Sequence, residues 1–417
     1  MTRRVRRAAV RTATAATAVV SLLVAGCAPS APSGSSATSA TSAPSGSSAE
    51  PEPGPPAYIE PVLTPVVGSV LYPPVPFTGE DGRTHLVHEL ILTNYTPMAV
   101  SVDTVAVLDQ DGRVIQTLTG ADLAARVLPT GGQGYGNQLA GGQSAAVFLH
   151  VALDGAAPTS LVHELTVTVA GTPTTERLAA TPVTARQLPV LGPPLKGEGY
   201  LAADGCCDAV RHTRAILPVN GGRYLAQRYA VDYEQVDADK RIYVGDRLDP
   251  HSYHIYGDEA LAVADATVVE TMDGLPEQVP GTYPAGIPIT EADGNFVVLD
   301  IGNGFYVNYA HLQPGSLKVK RGDTVAKGDV LGLVGNTGNS VAPHLHIHVM
   351  DAPSAIVAQG LPYLIDSFTV TGRSVSTAAF DAAEADGIPL ATRPGLSPTE
   401  HTEQMVLDQA LVTFGGP

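Results

Sequence analysis

Histidine occurs at every second position of residues 343–349, as His344, His346 and His348. Successive side chains of an extended strand point to opposite faces, so the three imidazoles share one face and aliphatic residues occupy the other. Neutral imidazole is the commonest metal ligand among side chains, and it also titrates near neutral pH. The pattern therefore predicts a strand that contributes to a metal-centred hydrolytic site.

The segments around this strand strengthen the prediction. Residues 319–332 are typical of two short strands with tight Gly-Asp turns, and residues 335–340 form a glycine-rich loop that leads into the histidines. A further histidine, His311, lies upstream in the segment 309–312. An isolated H-x-H pair is weak evidence for metal binding, so the interpretation depends on the order of the motifs around it.

Through these motifs the chain resembles the lysostaphin-like, LytM-type zinc metallopeptidases, which cut peptidoglycan peptides. The similarity runs from about residue 260 to residue 350. The resemblance implies Zn²⁺ as the cofactor and His346 as one of its ligands. It also implies catalytic roles for His311 and His344, and a mostly β fold whose peptidase domain is a barrel-sandwich hybrid (the duplicated hybrid motif).

The chain departs from this family at Arg228. Members carry His-x-x-x-Asp, which supplies two zinc ligands, and here the matching segment is 228–232. Asp232 fits the acidic ligand, but an arginine guanidinium has no lone pair to offer a metal. The site therefore lacks one ligand or takes it from elsewhere in the chain.

His212 is the first candidate for that ligand. Residues 211–217 and 223–233 read as the two arms of a β-hairpin, because Asn-Gly at 220–221 favours a tight primed turn. In one of two registers His212 shares a face with Asp232, and a slip of one residue turns it away. His254 is the second candidate, and a site without metal is the remaining reading.

Two adjacent cysteines, Cys206 and Cys207, offer a third source of ligands. Thiolates bind zinc well, but sulfur-rich zinc sites are usually closed structural ones. An exported protein also meets oxidising conditions. We therefore expect a disulfide, vicinal or otherwise, or two buried thiols.

The amino terminus has the pattern of a bacterial lipoprotein signal peptide. Residues 1–27 contain an arginine-rich start and an apolar segment, 13–25, too short to span a bilayer, and they end at Cys27. We expect Cys27 to carry a lipid that anchors the mature chain to the outer face of the cell membrane, with an ordinary secretory signal as the alternative. Residues 28–57, almost entirely Ser, Ala, Pro, Thr and Gly, predict a disordered tether.

Two folded units are expected after the tether. Short alternating segments in residues 58–186 favour a β-sandwich with a brief helix at 121–128. Its scattered histidines are expected to be exposed or hydrogen-bonded in the core: His85, His88, His150 and His163.

The second unit, residues 187–374, is expected to be the peptidase domain. Its proline-rich segment 272–294 is long for a loop in a compact domain and could rim a substrate groove. Residues 375–417 are expected to form a loosely packed tail with one helix around 400–412.

The net charge of the chain argues against one class of function. The net charge of −17, from 41 acidic and 24 basic residues, argues against nucleic-acid binding, because no basic patch is available for phosphates.

A zinc endopeptidase of peptidoglycan fits best, because Asp232, His311, His344 and His346 are retained. Arg228 supports a second hypothesis, a catalytically inactive relative that binds cell wall or regulates another wall hydrolase. A lipoyl-like envelope adaptor is a third, but such adaptors usually carry a long helical hairpin, and the sequence shows none.

Overall fold

The computed structural model describes residues 60–132 and 134–415. The predicted signal peptide, the lipid site Cys27 and the tether 28–57 lie outside these residues. The described fold belongs to one compact unit, Val62–Pro417. Within it, no helix has the length and apolarity needed to cross a membrane.

Ten strands and one short helix form the β-sandwich. In chain order they are β1 (Val66–Val70), β2 (Phe77–Thr78), β3 (Thr84–Asn94), β4 (Val100–Leu108), β5 (Val114–Thr119), α1 (Gly120–Ala124), β6 (Val127–Pro129), β7 (Gln138–Leu139), β8 (Ser144–Leu153), β9 (Ser160–Val169) and β10 (Thr172–Pro182). One sheet has the order β1-β3-β8-β6 with β2 beside β3, and the other has the order β10-β9-β4-β5 with β7 beside β4.

The two sheets enclose an aliphatic core. Leu90 of β3, Val147 of β8, Val105 of β4 and Leu165 of β9 are all fully buried in it. Alternating apolar residues of both inner faces supply such a core when sheets pack face to face. The predicted sandwich is confirmed, but the expected helix at 121–128 is too long, because α1 ends at Ala124 and β6 begins at Val127.

The remaining elements form a second, larger β structure. In chain order they are β11 (Val190–Leu191), β12 (Gly197–Ala203), β13 (Leu217–Val219), β14 (Gly222–Tyr224), β15 (Val231–Gln235), β16 (Glu259–Leu261), β17 (Ala266–Met272), β18 (Asn295–Asp300), β19 (Tyr306–Leu312), β20 (Thr324–Val325), β21 (Val330–Leu333), β22 (Leu345–Met350), β23 (Leu364–Arg373), α2 (Thr377–Asp386), β24 (Thr399–Gln404) and β25 (Ala410–Phe414). Its large sheet has the order β11-β23-β25-β12-β15-β22-β19-β18-β17-β20, with β24 beside β23. The mostly β fold is confirmed.

The carboxyl-terminal segment corrects a prediction. Instead of a loose tail with a helix around 400–412, it forms β24 and β25, and β25 pairs with both β12 and β23. Leu411, Val412 and Phe414 are buried there. The prediction failed because acidic and small residues dominate the composition around these strands. The short apolar run at 410–414 nevertheless forms an inner strand of the large sheet.

The helix in this segment lies earlier, at α2. Ser376 caps it, because its hydroxyl accepts a hydrogen bond from the backbone N–H of Ala379 at 3.1 Å. Gly387 ends it in the left-handed conformation, with a φ of 64° that favours glycine. Phe380 and Ala383 are its buried residues, so one face of α2 packs inward.

Candidate metal centre

Three neighbouring strands bring the predicted site residues together. Strand β22 lies between β15 and β19, and the register places Asp232 on one side of His346 and Ala310 on the other. Directly opposite residues in antiparallel strands share a face of the sheet. Asp232 and His346 therefore point the same way, as adjacent side chains of two paired strands.

His311 reaches the same face through an exception to strand alternation. Ala310 is the residue opposite His346, so a regular strand would turn His311 to the other side. His311 instead has a left-handed φ of 62°. Its ring centroid then lies 4.7 Å from that of His344 and 5.7 Å from that of His346. Backbone strain of this kind is often found at functional sites.

His212, Asp232 and His346 form a group of three metal donors. One donor atom from each lies within 4.8 Å of the other two. His346 Nδ1 is 2.8 Å from Asp232 Oδ1, and His212 Nε2 is 3.4 Å from Asp232 Oδ2. Two imidazole nitrogens and one carboxylate oxygen form a donor set suited to a catalytic zinc ion.

Backbone carbonyls fix the ring orientation of three site histidines. A carbonyl oxygen only accepts hydrogen bonds, so the ring nitrogen facing it carries a proton, and in a neutral ring the other nitrogen has the lone pair. In each case Nδ1–H donates to a carbonyl: His212 to Asp204 at 2.9 Å, His311 to Thr337 at 2.7 Å and His344 to Ala342 at 2.8 Å. The Nε2 atoms of these histidines are therefore free to bind a metal or accept a proton.

His346 is held differently from the other histidines. Its Nδ1 faces Asp232, and its Nε2 lies 2.9 Å from Nδ1 of His348. If Nδ1 is the ligand atom, Nε2–H donates to His348. Buried partners of this kind orient metal-binding histidines. His348, which was predicted only to share a face with His344 and His346, therefore orients the ring of His346.

Electrostatics keep Asp232 ionised. Burial acts to raise the pKa of Asp232, but the facing His212, His344 and His346 lower it far more, and the net result is a pKa well below the usual range. Burial, together with the neighbouring His344 and His346, lowers the pKa of His311 well below its ordinary value. His311 is therefore a neutral imidazole near pH 7.

Arg228 lies outside this group and serves a different purpose. Its Nε–H and one Nη–H donate to the two carboxylate oxygens of Glu89 on β3, both at 2.7 Å. Another Nη–H donates to the carbonyl of Gly360 at 3.0 Å. The side chains of Arg228 and Glu89 are only 2% and 0% exposed. The residue at the family's histidine position thus joins the turn before β15 to the sandwich.

We expect Arg228→Ala to lower the free energy of unfolding by about 3–5 kcal/mol, because it leaves the Glu89 carboxylate buried and unpaired. Replacing both residues, as Arg228→Met with Glu89→Leu, is expected to recover most of that loss. Urea unfolding followed by circular dichroism measures both variants. Arg177→Ala, which breaks the exposed pair with Glu164, is the control and should cost about 0–1 kcal/mol. Equal losses for Arg228→Ala and Arg177→Ala would contradict this account of the buried pair.

The route by which His212 reaches the site differs from the expected one. The Asn-Gly turn is confirmed, but only β13 and β14 pair around it, from Leu217↔Tyr224 to Val219↔Gly222. His212 lies before this short hairpin in a turn-rich segment, and β15 pairs with β12 and β22 instead. The hairpin register was therefore wrong, because sheet partners distant in sequence took up the residues predicted for its second arm.

The second candidate ligand, His254, is not part of the group of donors. Its Nε2 lies 3.4 Å from Asp237 Oδ2, and its side chain is about one-third exposed. The two cysteines also supply no thiolate, because Cys206 and Cys207 form a vicinal disulfide. The disulfide is the first of the two states expected for this pair.

Several pocket residues were not predicted. The pocket that contains the donor group is also lined by Arg211, Glu234, Tyr283, Phe380 and Glu384. Tyr283 belongs to the proline-rich segment 272–294, so that segment supplies one residue to the lining of the pocket. Phe380 and Glu384 come from α2, and the caps Ser376 and Gly387 were the sequence signal that could have located this helix.

The sandwich histidines lie away from this pocket. His85 Nδ1 is 2.9 Å from His150 Nε2, and His88 Nε2 is 2.9 Å from His163 Nε2. His88 and His163 are fully buried. These contacts agree with hydrogen-bonded core residues, one of the two states predicted for them.

Comparison with known sequences points to one family. The model of Peptidase family M23 matches residues 254–357, which include His311, His344 and His346 but neither Asp232 nor His212. An uncharacterized metalloprotease of Haemophilus influenzae is 32% identical over 170 residues, which are 37% of this chain and 33% of that protein.

A second relative is the peptidoglycan DD-endopeptidase ShyA of Vibrio cholerae. It is 42% identical over 57 residues, which are 14% of this chain and 13% of that protein. The chain thus spans at most about a third of the length of these curated relatives.

Solved structures of similar proteins include two catalytic domains. That of the prophage-encoded M23 protein EnpA from Enterococcus faecalis is 17% identical, with 42% of this chain and 92% of that chain covered and a TM-score of 0.24. That of lysostaphin from Staphylococcus simulans is 23% identical, with 40% of this chain and 88% of that chain covered and a TM-score of 0.22.

Proposed function

Because the chain contains a domain of peptidase family M23, we propose that it is an exported zinc metalloendopeptidase that acts on peptidoglycan peptides. The observation that carries this proposal is the convergence of two sets of residues in one pocket. One set, His212, Asp232 and His346, has the donors for zinc. The other, His311 and His344, has the imidazoles for proton transfer.

The donor set fits zinc in number and in chemistry. Three protein ligands leave one coordination position open, as catalytic zinc sites require. Zinc, when bound, would polarise a peptide carbonyl and lower the pKa of water. Asp204 and His348 support this set from outside, because they hold the rings of His212 and His346 in place.

His311 and His344 are suited to moving the proton. Each donates Nδ1–H to a backbone carbonyl, so each directs an Nε2 lone pair into the pocket. A neutral imidazole there can take the proton from an attacking water. Once protonated, the same Nε2–H can donate a hydrogen bond to the oxyanion that forms on the peptide carbonyl.

The substrate class rests on the relatives and on the expected location. ShyA is a peptidoglycan DD-endopeptidase by name, and a lipid anchor at Cys27 with a tether would hold this chain beside the wall. Tyr283 lies at the pocket and is half-exposed, where it could contact a bound peptide. The proposed substrates are therefore the peptides of peptidoglycan.

Arg228 favours a second function, a non-catalytic domain that binds wall or regulates another hydrolase. Its basis is the loss of the histidine at the family's motif position. The position of His212 weakens this alternative, because a nitrogen donor lies beside Asp232 in spite of that loss.

Digestion of purified peptidoglycan separates the two functions. The zinc-loaded protein is expected to release new amino groups from insoluble peptidoglycan, because each cut peptide bond frees one amine. A chelator should stop the release, and added zinc should restore it. His344→Ala is the inactive control and should release no amines even when loaded with zinc, because it removes an imidazole proposed to move the proton and leaves the three zinc donors in place. A zinc-loaded protein that releases no amines from several peptidoglycan types would favour the regulatory function.

A further inference from the structure

We propose that the β-sandwich positions the zinc ligand His212 through a clamp formed by Arg126, Asp208 and Arg214. This inference rests on the proposed function, in which His212 replaces the ligand lost at Arg228. It assigns the sandwich a direct part in building the metal site.

His212 needs such support because it is not on a strand. Asp232 and His346 are held by paired strands of the large sheet, whose backbone ladder fixes both residues. His212 lies in turns between β12 and β13, where no ladder acts on the chain. A ligand on such a segment keeps its place only if neighbouring side chains hold the segment.

The clamp ties this segment to the sandwich on both sides of His212. Asp208, before it, accepts hydrogen bonds from both guanidinium Nη atoms of Arg126, one at 2.6 Å. Arg214, after it, donates to the same Asp208 carboxylate and to the carbonyl of Ala125 at 2.7 Å. One carboxylate therefore joins two arginines, and one of these belongs to the sandwich between α1 and β6.

Burial and packing against the sandwich also fix the position of this segment. The side chain of Arg214 is only 7% exposed, and its guanidinium carbon lies 5.9 Å from the ring centroid of Phe148 on β8. Ile216 packs in a small cluster with Ile91 and Phe148 of the sandwich. The segment thus contacts both β3 and β8.

Arg211 and His212, which lie between Asp208 and Arg214, line the pocket. Arg211 donates hydrogen bonds to Asp204 and to Asp381 of α2, both at 2.7 Å. The ring of His212 meets that of His346 edge-on, at a centroid distance of 4.8 Å. The segment therefore has its ends on the sandwich and its middle on the metal site, an arrangement in which the clamp sets where His212 lies.

The test is the zinc affinity of Asp208→Asn, measured by competition with a chromophoric chelator. We expect the affinity to fall about tenfold to a hundredfold, the range seen when supporting residues of a metal site are removed. Arg126→Gln, which leaves the pair of Asp208 and Arg214 in place, should give a loss of the same order and serves if Asp208→Asn does not fold. Glu164→Gln, in an exposed ion pair on β9, is the matched control and should leave the affinity unchanged.

A double-mutant cycle distinguishes positioning from a general loss of structure. If Asp208 acts through His212, then Asp208→Asn should have no further effect on zinc affinity in a His212→Ala background. An equal loss in both backgrounds would overturn the proposal, and so would an unchanged affinity in folded Asp208→Asn and Arg126→Gln. A wild-type protein that binds no zinc would overturn the proposed function as well, whereas a zinc-binding wild type with unaffected clamp variants would overturn the clamp alone.

Discussion

Replacing Asp232 or His346 with alanine is expected to abolish stoichiometric zinc binding and, with it, peptide cleavage. Asp232 is central, because its carboxylate oxygens lie 2.8 Å from His346 Nδ1, 3.4 Å from His212 Nε2 and 3.5 Å from His344 Nε2. Removing a ligand should cost more than the roughly tenfold to hundredfold loss that follows removal of a supporting residue.

Metal content after loading and desalting measures this effect for both variants. His254→Ala is the matched control, because His254 is a histidine of the same domain whose Nε2 faces Asp237 outside the donor group. Near-ultraviolet circular dichroism checks that each variant keeps its packing. Normal zinc content in folded Asp232→Ala and His346→Ala would show that the metal, if bound, is held elsewhere.

Alanine at His311 or His344 is expected to spare the metal and remove catalysis. Neither residue belongs to the proposed ligand set, but both direct Nε2 into the pocket. General acid–base catalysis typically contributes about 10²–10⁴-fold, so kcat should fall by a factor in that range while zinc stays bound.

The two measurements on these variants must be read together. Zinc content should match that of the wild type, and the rate of amine release from peptidoglycan should fall. Loss of zinc from His344→Ala would instead make His344 a ligand, in conflict with the roles proposed for His344 and His346. Full activity in either variant would remove that histidine from the mechanism.

Much of the site could be predicted because its signals are local. Alternation along β22 correctly placed His346 and His348 on one face, since a strand fixes side-chain direction residue by residue. His344, one residue before the strand, lines the same pocket as His346. Asp232 could be located from its place in a motif. The contact between Asp232 and His346 depends on the pairing of β15 with β22, which joins residues more than a hundred positions apart. The sequence of neither strand alone indicates this pairing.

Other features could not be predicted for the same physical reason. The predicted hairpin brings His212 to Asp232 through a register that the structure does not have, because tertiary contacts hold the segment rather than pairing with β13 and β14. The left-handed backbone of His311 cannot be read from alternation. In the sequence Arg228 indicates only that a histidine ligand is missing. Its role as a buried ion-pair partner could not be predicted, because Glu89 lies 139 residues away.

The carboxyl-terminal segment shows how composition misleads. Its acidic and small residues favoured a loose tail, yet β25 is an inner strand of the large sheet. Five residues, Ala410–Phe414, are enough for such a strand because it pairs with a neighbouring strand on each side. Short central strands are therefore harder to predict than long alternating ones.

The central claim is that His212, Asp232 and His346 form a zinc site although Arg228 stands at the family's ligand position. The zinc content of the purified wild-type protein, measured after metal removal and reloading beside His212→Ala, tests it most directly. We expect about one zinc per chain in the wild type, as a single site of three ligands requires, and far less in His212→Ala. A wild-type protein that stays free of zinc after loading, or a His212→Ala variant with full zinc content, would contradict it.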